Sequence, residues 1–182
     1  MEEARNVGKT INQTIIPQEI RQNAKEKMDA ADVEKIALRC VKNFAGIFHG
    51  SSLNNVTIMD LPVTIIVYIE NHWIGIYMDR ENIEVIDSNG YLDSFSSNSS
   101  LCEFVCTNSL GKRFLASPTL QSEESVSCGK YVLTFLYLRS RNDIDLCDYL
   151  RSFGKNFDEN EKLIQELFIL MERDDDEASD DS

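Results

Sequence analysis

The chain has 182 residues, 42% of them hydrophobic and 27% charged, which is apolar material for one globular core and too little length for two. No stretch reaches the ~18 to 20 consecutive apolar residues of a membrane span, and the opening MEEARNVGKT lacks the apolar segment of a secretory signal, so a soluble intracellular protein with no membrane contact is expected. Eighteen Lys and Arg against thirty-one Asp and Glu leave a net charge of −13, which repels phosphate backbones and argues against nucleic acid as a partner.

Residues 1–30 are polar and read as a loosely attached arm, with Pro17 opening a short helix through Met28. From Ala31, AADVEKIALRCVKNF sets Val33, Ile36, Ala37, Cys40 and Val41 at helical spacing, with Gly46 helping to stop the helix. A turn-rich HGSSLNN follows. The run Pro62 to Glu70 is β-branched and almost continuously apolar, as in a strand covered on both faces. HWIGIYMDRENIEVIDSNG then reads as a β-hairpin turning at Asp79 to Asn82.

Leu101 to Thr107 predicts a short amphipathic helix, and Arg113 to Ser117 a short strand ended by Pro118. CGKYVLTFLYL, from Cys128 to Leu138, is apolar nearly all round and predicts a helix inside the domain. Helices are also predicted over Ile144 to Phe153 and Glu159 to Met171, the second capped by Asp158. The last eleven residues, ERDDDEASDDS, carry a net −6 with nothing to bury, and predict a disordered acidic tail over 172–182. The expected fold is α+β: a mixed, mostly antiparallel sheet with a central cysteine-bearing helix and flanking helices over residues 31–171.

Five cysteines, at 40, 102, 106, 128 and 147, have no framework spacing and are expected as thiols. Only His49 and His72 can supply an imidazole. His72 heads one hairpin strand, Asp87 ends its partner, and Cys128 opens the buried helix. A thiolate needs a pKa below the free value of ~8.5, and a helix N-terminus and an imidazolium both favour the anion. The imidazole needs an acceptor to fix its tautomer, and the hairpin brings Asp87 within reach of it. The Cys128 amide and the Gln121 side chain are candidate donors to an oxyanion. Gly129 would relieve crowding where a substrate backbone approaches, and Ser127 closes a small polar loop suited to lining a cleft.

Each residue also has a plainer reading: His72 an ordinary strand histidine, Asp87 a turn cap, Cys128 a buried apolar thiol, Gln121 polar surface, Trp73 a core or rim aromatic. Cys102 and Cys106, with Cys147 or His49, fall short of a tetrahedral zinc set at usual spacing. His49 reads as an exposed loop residue. No Gly-rich phosphate loop or dinucleotide fingerprint is present, so neither metal nor cofactor is expected.

NHWIGIYMDRENIEVIDSNG followed by QSEESVSCGKYVLTFL resembles the adenovirus-type cysteine endopeptidases (adenain) and their relatives from Polinton/Maverick-type elements. The order is His, acid, Gln, Cys-Gly, and the resemblance, which takes in GIFHGSSL as a substrate-side loop, covers about residues 30 to 170. It implies an adenain-like fold, His72 as general base, Asp87 as its orienting acid with Asp93 as the alternative, Gln121 as oxyanion donor and Cys128 as nucleophile. The same clan holds the proteases that remove SUMO and other ubiquitin-like proteins, whose Asp-Ser the VIDSNG run shares. Six residues between Gln121 and Cys128 match the adenain branch. What is implied is a monomeric thiol protease acting on polypeptide precursors of a virus or mobile element, within a host nucleus, cytoplasm or virion; the alternatives are an isopeptidase that removes ubiquitin-like modifiers and a non-catalytic binding protein of the same fold. An activating peptide is compatible with it; the family's use of DNA does not suit so acidic a chain.

Overall fold

The computed structural model describes residues 27–142 and 144–180. Most of the polar arm, with the expected helix from Pro17, lies outside the described residues. Helix α1 (Ala30–Cys40) is capped by Asp29, whose carboxylate accepts the Asp32 N–H at 2.9 Å, and it buries Val33, Ala37 and Cys40. The chain leaves it through Asn43, which adopts a left-handed φ of 56°, so Gly46 is not the helix stop. Gly46 instead sits at a register shift inside strand β1 (Phe44–His49).

That strand corrects the expected GIFHGSSL loop: its first half is sheet and Gly50–Asn55 is a 3-10 helix. β1 is an edge strand of mixed exposure, so it shows no clean alternation, and its partner β2 (Val63–Ile69) lies downstream and runs parallel. Glu70 and Asn71, both left-handed, turn β2 into β3 (His72–Met78), and Asp79 caps the turn into β4 (Asn82–Ile86) by accepting the N–H groups of Glu81 and Asn82. Helix α2 (Tyr91–Ser97) has no counterpart in the sequence reading, and α3 (Ser99–Asn108) is the expected helix, capped by Asn98. β5 (Arg113–Ala116) pairs parallel to β4.

The sheet order is β1-β2-β3-β4-β5. Its two inner pairings are antiparallel and its two outer ones parallel, so it is mixed rather than mostly antiparallel. Alternation along the strands sends Ile65, Val67, Ile74, Ile76, Ile83 and Val85 to one face, under Leu53 and α3. Ile66, Trp73, Tyr77 and Ile86 point to the other, where α1, α4 (Cys128–Asn142), α5 (Leu146–Leu150) and α6 (Phe157–Asp180) cover them. The α+β class is therefore observed as helices on both faces of one sheet.

Two ends differ from expectation. Asn156, not Asp158, caps α6, accepting the N–H of Asp158 at 3.1 Å. α6 also runs past Met171 to Asp180, into the stretch expected to be a disordered tail. Met171 is buried and Glu172 reaches Arg39 at 3.9 Å, so the packed face extends to the start of the acidic run.

α4 can lie close on β3 because Gly75 has no side chain. A Cβ there would stand 2.7 Å from Ile86 Cγ2 and 2.9 Å from Val132 Cγ1, both inside contact distance. At the far end of α4, buried Arg139 donates to Glu84 and Asp79, each at 3.0 Å, and stacks 4.0 Å from the Tyr77 ring centre. Burial pushes the Glu84 carboxyl up against the pull of that guanidinium. Gly75→Ala should therefore cost about 1 to 3 kcal/mol by urea denaturation, and Arg139→Met about 3 to 5 kcal/mol, because it strands the Glu84 carboxylate.

Candidate active site

Asp87 follows the last residue of β4 and is fully buried. Ser117, beyond β5, holds its backbone from both sides, accepting the Asp87 N–H at 2.7 Å and donating to the Asp87 carbonyl at 2.6 Å. The carboxylate Oδ1 accepts the Asn89 N–H at 3.0 Å and His72 Nε2 at 2.7 Å. Because an ionised carboxylate can only accept, Nε2 carries a proton and Nδ1 is the nitrogen left for chemistry.

Cys128 is the first residue of α4, and the preceding Ser127 acts as the cap, its carbonyl accepting the N–H groups of Lys130 and Tyr131. The thiol, almost wholly buried, engages the His72 side chain and the backbone N–H groups of Trp73 and Gly129. Burial alone would push the Cys128 thiol up; the hydrogen bond and charge of His72, then the two backbone donors, bring it below its ordinary value. Burial likewise opposes the charged His72 ring, yet hydrogen bonds and charges from Asp87 and Cys128 raise it from 6.5 to about 9. The two shifts point the same way, toward thiolate and imidazolium.

Gln121 is buried beside this pair. Its backbone N–H and that of Leu120 donate to the Ser88 carbonyl at 3.2 and 2.8 Å, and Asn160 of α6 donates to the Leu120 carbonyl at 2.9 Å. Further along the same loop, the hydroxyls of Ser125 and Ser127 both donate to the Glu161 carboxylate of α6. The loop expected to line a cleft is thus tied down at both ends. A cleft of about 510 Å³ does open beside it, lined by His72, Asn89 and Gln121 among others, with Glu70 and Glu123 at its sides.

The structure brings all four predicted residues, His72, Asp87, Gln121 and Cys128, to one place. Asp93 falls within α2, and its side chain lies outside those described. Gly129 faces Trp73 and Met28 in the core and not the cleft, so its lack of a side chain serves helix packing rather than substrate. Trp73 packs at 4.6 Å from Tyr68 and donates to the Met28 carbonyl at 3.3 Å, and its backbone N–H engages the thiol. His49 ends β1 and accepts the Ser51 N–H at 3.3 Å, capping the 3-10 helix. Cys102 and Cys106 neighbour one another on α3, and among the described residues no group of three His, Cys, Asp or Glu is placed to hold a metal ion.

Sequence reasoning missed three residues. Ser117 and Glu161 act through folding alone and leave no local signal. Asn89 was visible in Asp-Ser-Asn-Gly, but that run reads first as a turn. Its carboxamide spans the site: Nδ2 lies 3.2 Å from His72 Nδ1, and Oδ1 accepts Gln121 Nε2 at 2.7 Å.

No family model and no curated protein matches the chain. Solved structures do resemble it. The central domain of an uncharacterized Lpg1148 protein from Legionella pneumophila is 12% identical, over 82% of this chain and 97% of that one, with a TM-score of 0.47. The C-terminal Ulp1 protease domain, solved in complex with Smt3, the yeast ortholog of SUMO, is 15% identical over 93% and 95%, with a TM-score of 0.44. A de-sumoylating protease is 13% identical over 91% and 90%, with a TM-score of 0.45. Likenesses this distant leave the chemistry of the site to be read from its own geometry. Among the described residues no helix is long and apolar enough to cross a membrane.

The five thiols are all free, and two of them, Cys106 and Cys147, are far more exposed than Cys128. Exposure alone would make those two react first. Thiolate content instead favours Cys128 below pH 7, so iodoacetamide at about pH 6 should label Cys128 ahead of the others, as read by peptide mass mapping. His72→Ala should remove that preference.

Proposed function

We propose that the chain is a cysteine protease in which Cys128 is the nucleophile, His72 the acid and base, Asp87 the group that orients His72, and Gln121 an oxyanion donor. The observation that carries this reading is the continuous contact from Asp87 through His72 to the Cys128 thiol, with the ring raised and the thiol lowered. A polar surface pair would be shielded by water and a structural thiol would be pushed up by burial; neither produces paired shifts of this sign.

The chemistry follows from the atoms. The Cys128 sulfur adds to the scissile carbonyl, and the oxyanion takes hydrogen bonds from Gln121 Nε2 and the Cys128 amide. Nδ1–H of His72 gives its proton to the departing amine, leaving a thioester. Water, deprotonated by the same nitrogen, then adds to the thioester and releases the acid and the thiol. Asp87 stays ionised throughout, holding Nε2–H and stabilising the charged ring.

For the substrate, the order His, acid, Gln, Cys-Gly and the six residues between Gln121 and Cys128 favour an endopeptidase that matures polypeptide precursors of a virus or mobile element. The Asp87-Ser88 pair favours a second reading, removal of ubiquitin-like modifiers such as SUMO. Labelling of Cys128 by ubiquitin or SUMO bearing a C-terminal electrophile would support the second reading; cleavage of a capsid precursor without such labelling would support the first.

Cys128→Ala should abolish hydrolysis in either case while leaving the thermal melt in place, and a Cys128→Ala protein that still cuts would overturn the proposal. Gln121→Ala should lower kcat by about 10²- to 10³-fold. Cleavage should also fall as pH rises through about 9, where His72 loses the proton the leaving amine needs, although the thiolate and hence alkylation persist.

A further inference from the structure

Asn89 touches both working groups of the proposed site. Its Oδ1 accepts Gln121 Nε2 at 2.7 Å, and that fixes which end of the carboxamide faces the histidine: Nδ2, 3.2 Å from His72 Nδ1. Nδ2 can only donate, so the contact is a hydrogen bond only when Nδ1 is bare. The backbone makes the arrangement firm. Asn89 N–H is bound to Asp87 Oδ1 at 3.0 Å, and the Asn89 carbonyl accepts the Thr119 hydroxyl at 3.2 Å.

Two forms of the Cys128–His72 pair compete. In the neutral form the thiol keeps its proton and Nδ1 is bare; in the charged form the proton has moved to Nδ1. Asp87 and Cys128 both favour the charged form, whereas Nδ2–H of Asn89 can stabilise only the neutral one. The same side chain covers the amide that an oxyanion would need. Glu70 and Glu123 line the cleft as well, and both are retained in every variant named below.

We propose that Asn89 is a positioning residue that latches the substrate-free site: it occupies the Gln121 amide and opposes, without overcoming, the charged form of the pair that Asp87 favours, until a substrate carbonyl takes that amide over. On displacement, Oδ1 of Asn89 gives up Gln121 Nε2 to the carbonyl oxygen, and Nδ2 withdraws from Nδ1, so that nothing there opposes the charged form any longer. The inference rests on the protease reading above and adds to it a resting state that substrate opens.

The test is the pH dependence of Cys128 alkylation in the full chain without substrate. Asn89→Ala should lower the midpoint by about half to one pH unit, the effect of one neutral hydrogen bond, and speed alkylation roughly 3- to 10-fold below it. Asn89→Leu, which keeps the volume, should do the same and serves if the alanine variant fails to fold. Gln121→Leu frees the carboxamide to turn its oxygen toward Nδ1–H, so it should shift the midpoint the same way. Combined with Asn89→Ala it should add nothing, since both act through one side chain. A role in packing alone would change the rate at every pH and leave the midpoint in place.

An unmoved or raised midpoint in the Asn89 variants, or additive shifts in the double variant, would overturn the latch while leaving the protease reading intact. A wild-type Cys128 that alkylates more slowly than the other thiols at low pH would overturn both.

Discussion

A carboxylate that has lost all its water must find donors, and where Asp87 finds them sets the rest of the site. Its backbone is pinned by Ser117 across the β4–β5 pairing, and Oδ1 takes the Asn89 N–H and the His72 ring. A buried charge with so few partners makes the imidazolium the most effective counterion within reach, and this is why the ring is raised although burial opposes it. The thiol is then lowered by the ring in turn. Remove the carboxylate, and the ring keeps only the thiol to hold it up, while the thiol keeps a weaker ring and two backbone N–H groups.

Such a site needs its parts held to a fraction of an ångström, and the fold provides this by clamping the loop before α4 from two sides. Ser88, in the turn after β4, accepts the backbone of Leu120 and Gln121, while Asn160 and Glu161 of α6 take Leu120, Ser125 and Ser127. α4 itself is registered on the sheet at both ends, by the close approach over Gly75 and by Arg139 bound to Glu84 and Asp79. The nucleophile therefore sits on a rigid element, and the adaptable member of the site is the one exposed side chain in it, Asn89.

Much of this was legible because the residues concerned sit where local rules act. Continuous apolar β-branched residues marked β2, alternation marked β3 and β4, and a helix apolar nearly all round marked α4. The rarity of histidine narrowed the base to His72. What was illegible has a common cause. β1 pairs in parallel with a strand downstream and lies at an edge, so its residues show no period. α2 is short, α6 carries a contact from Glu172 to Arg39 just beyond its expected end, and Gly46 and Gly129 serve a bulge and a helix contact that composition does not encode.

By itself, then, the order of residues determined the element types, the thiol chemistry within reach and the candidates for it, because periodicity, capping and side-chain chemistry are properties of neighbours along the chain. Tertiary structure decided whether those candidates meet. The direction of the outer strand pairings, the loss of water around Asp87, and the turning of the Asn89 carboxamide between Gln121 and His72 all depend on groups far apart in sequence. Hydrogen bonding and desolvation act through space, and nothing local to any one of these residues records what the fold will set beside it.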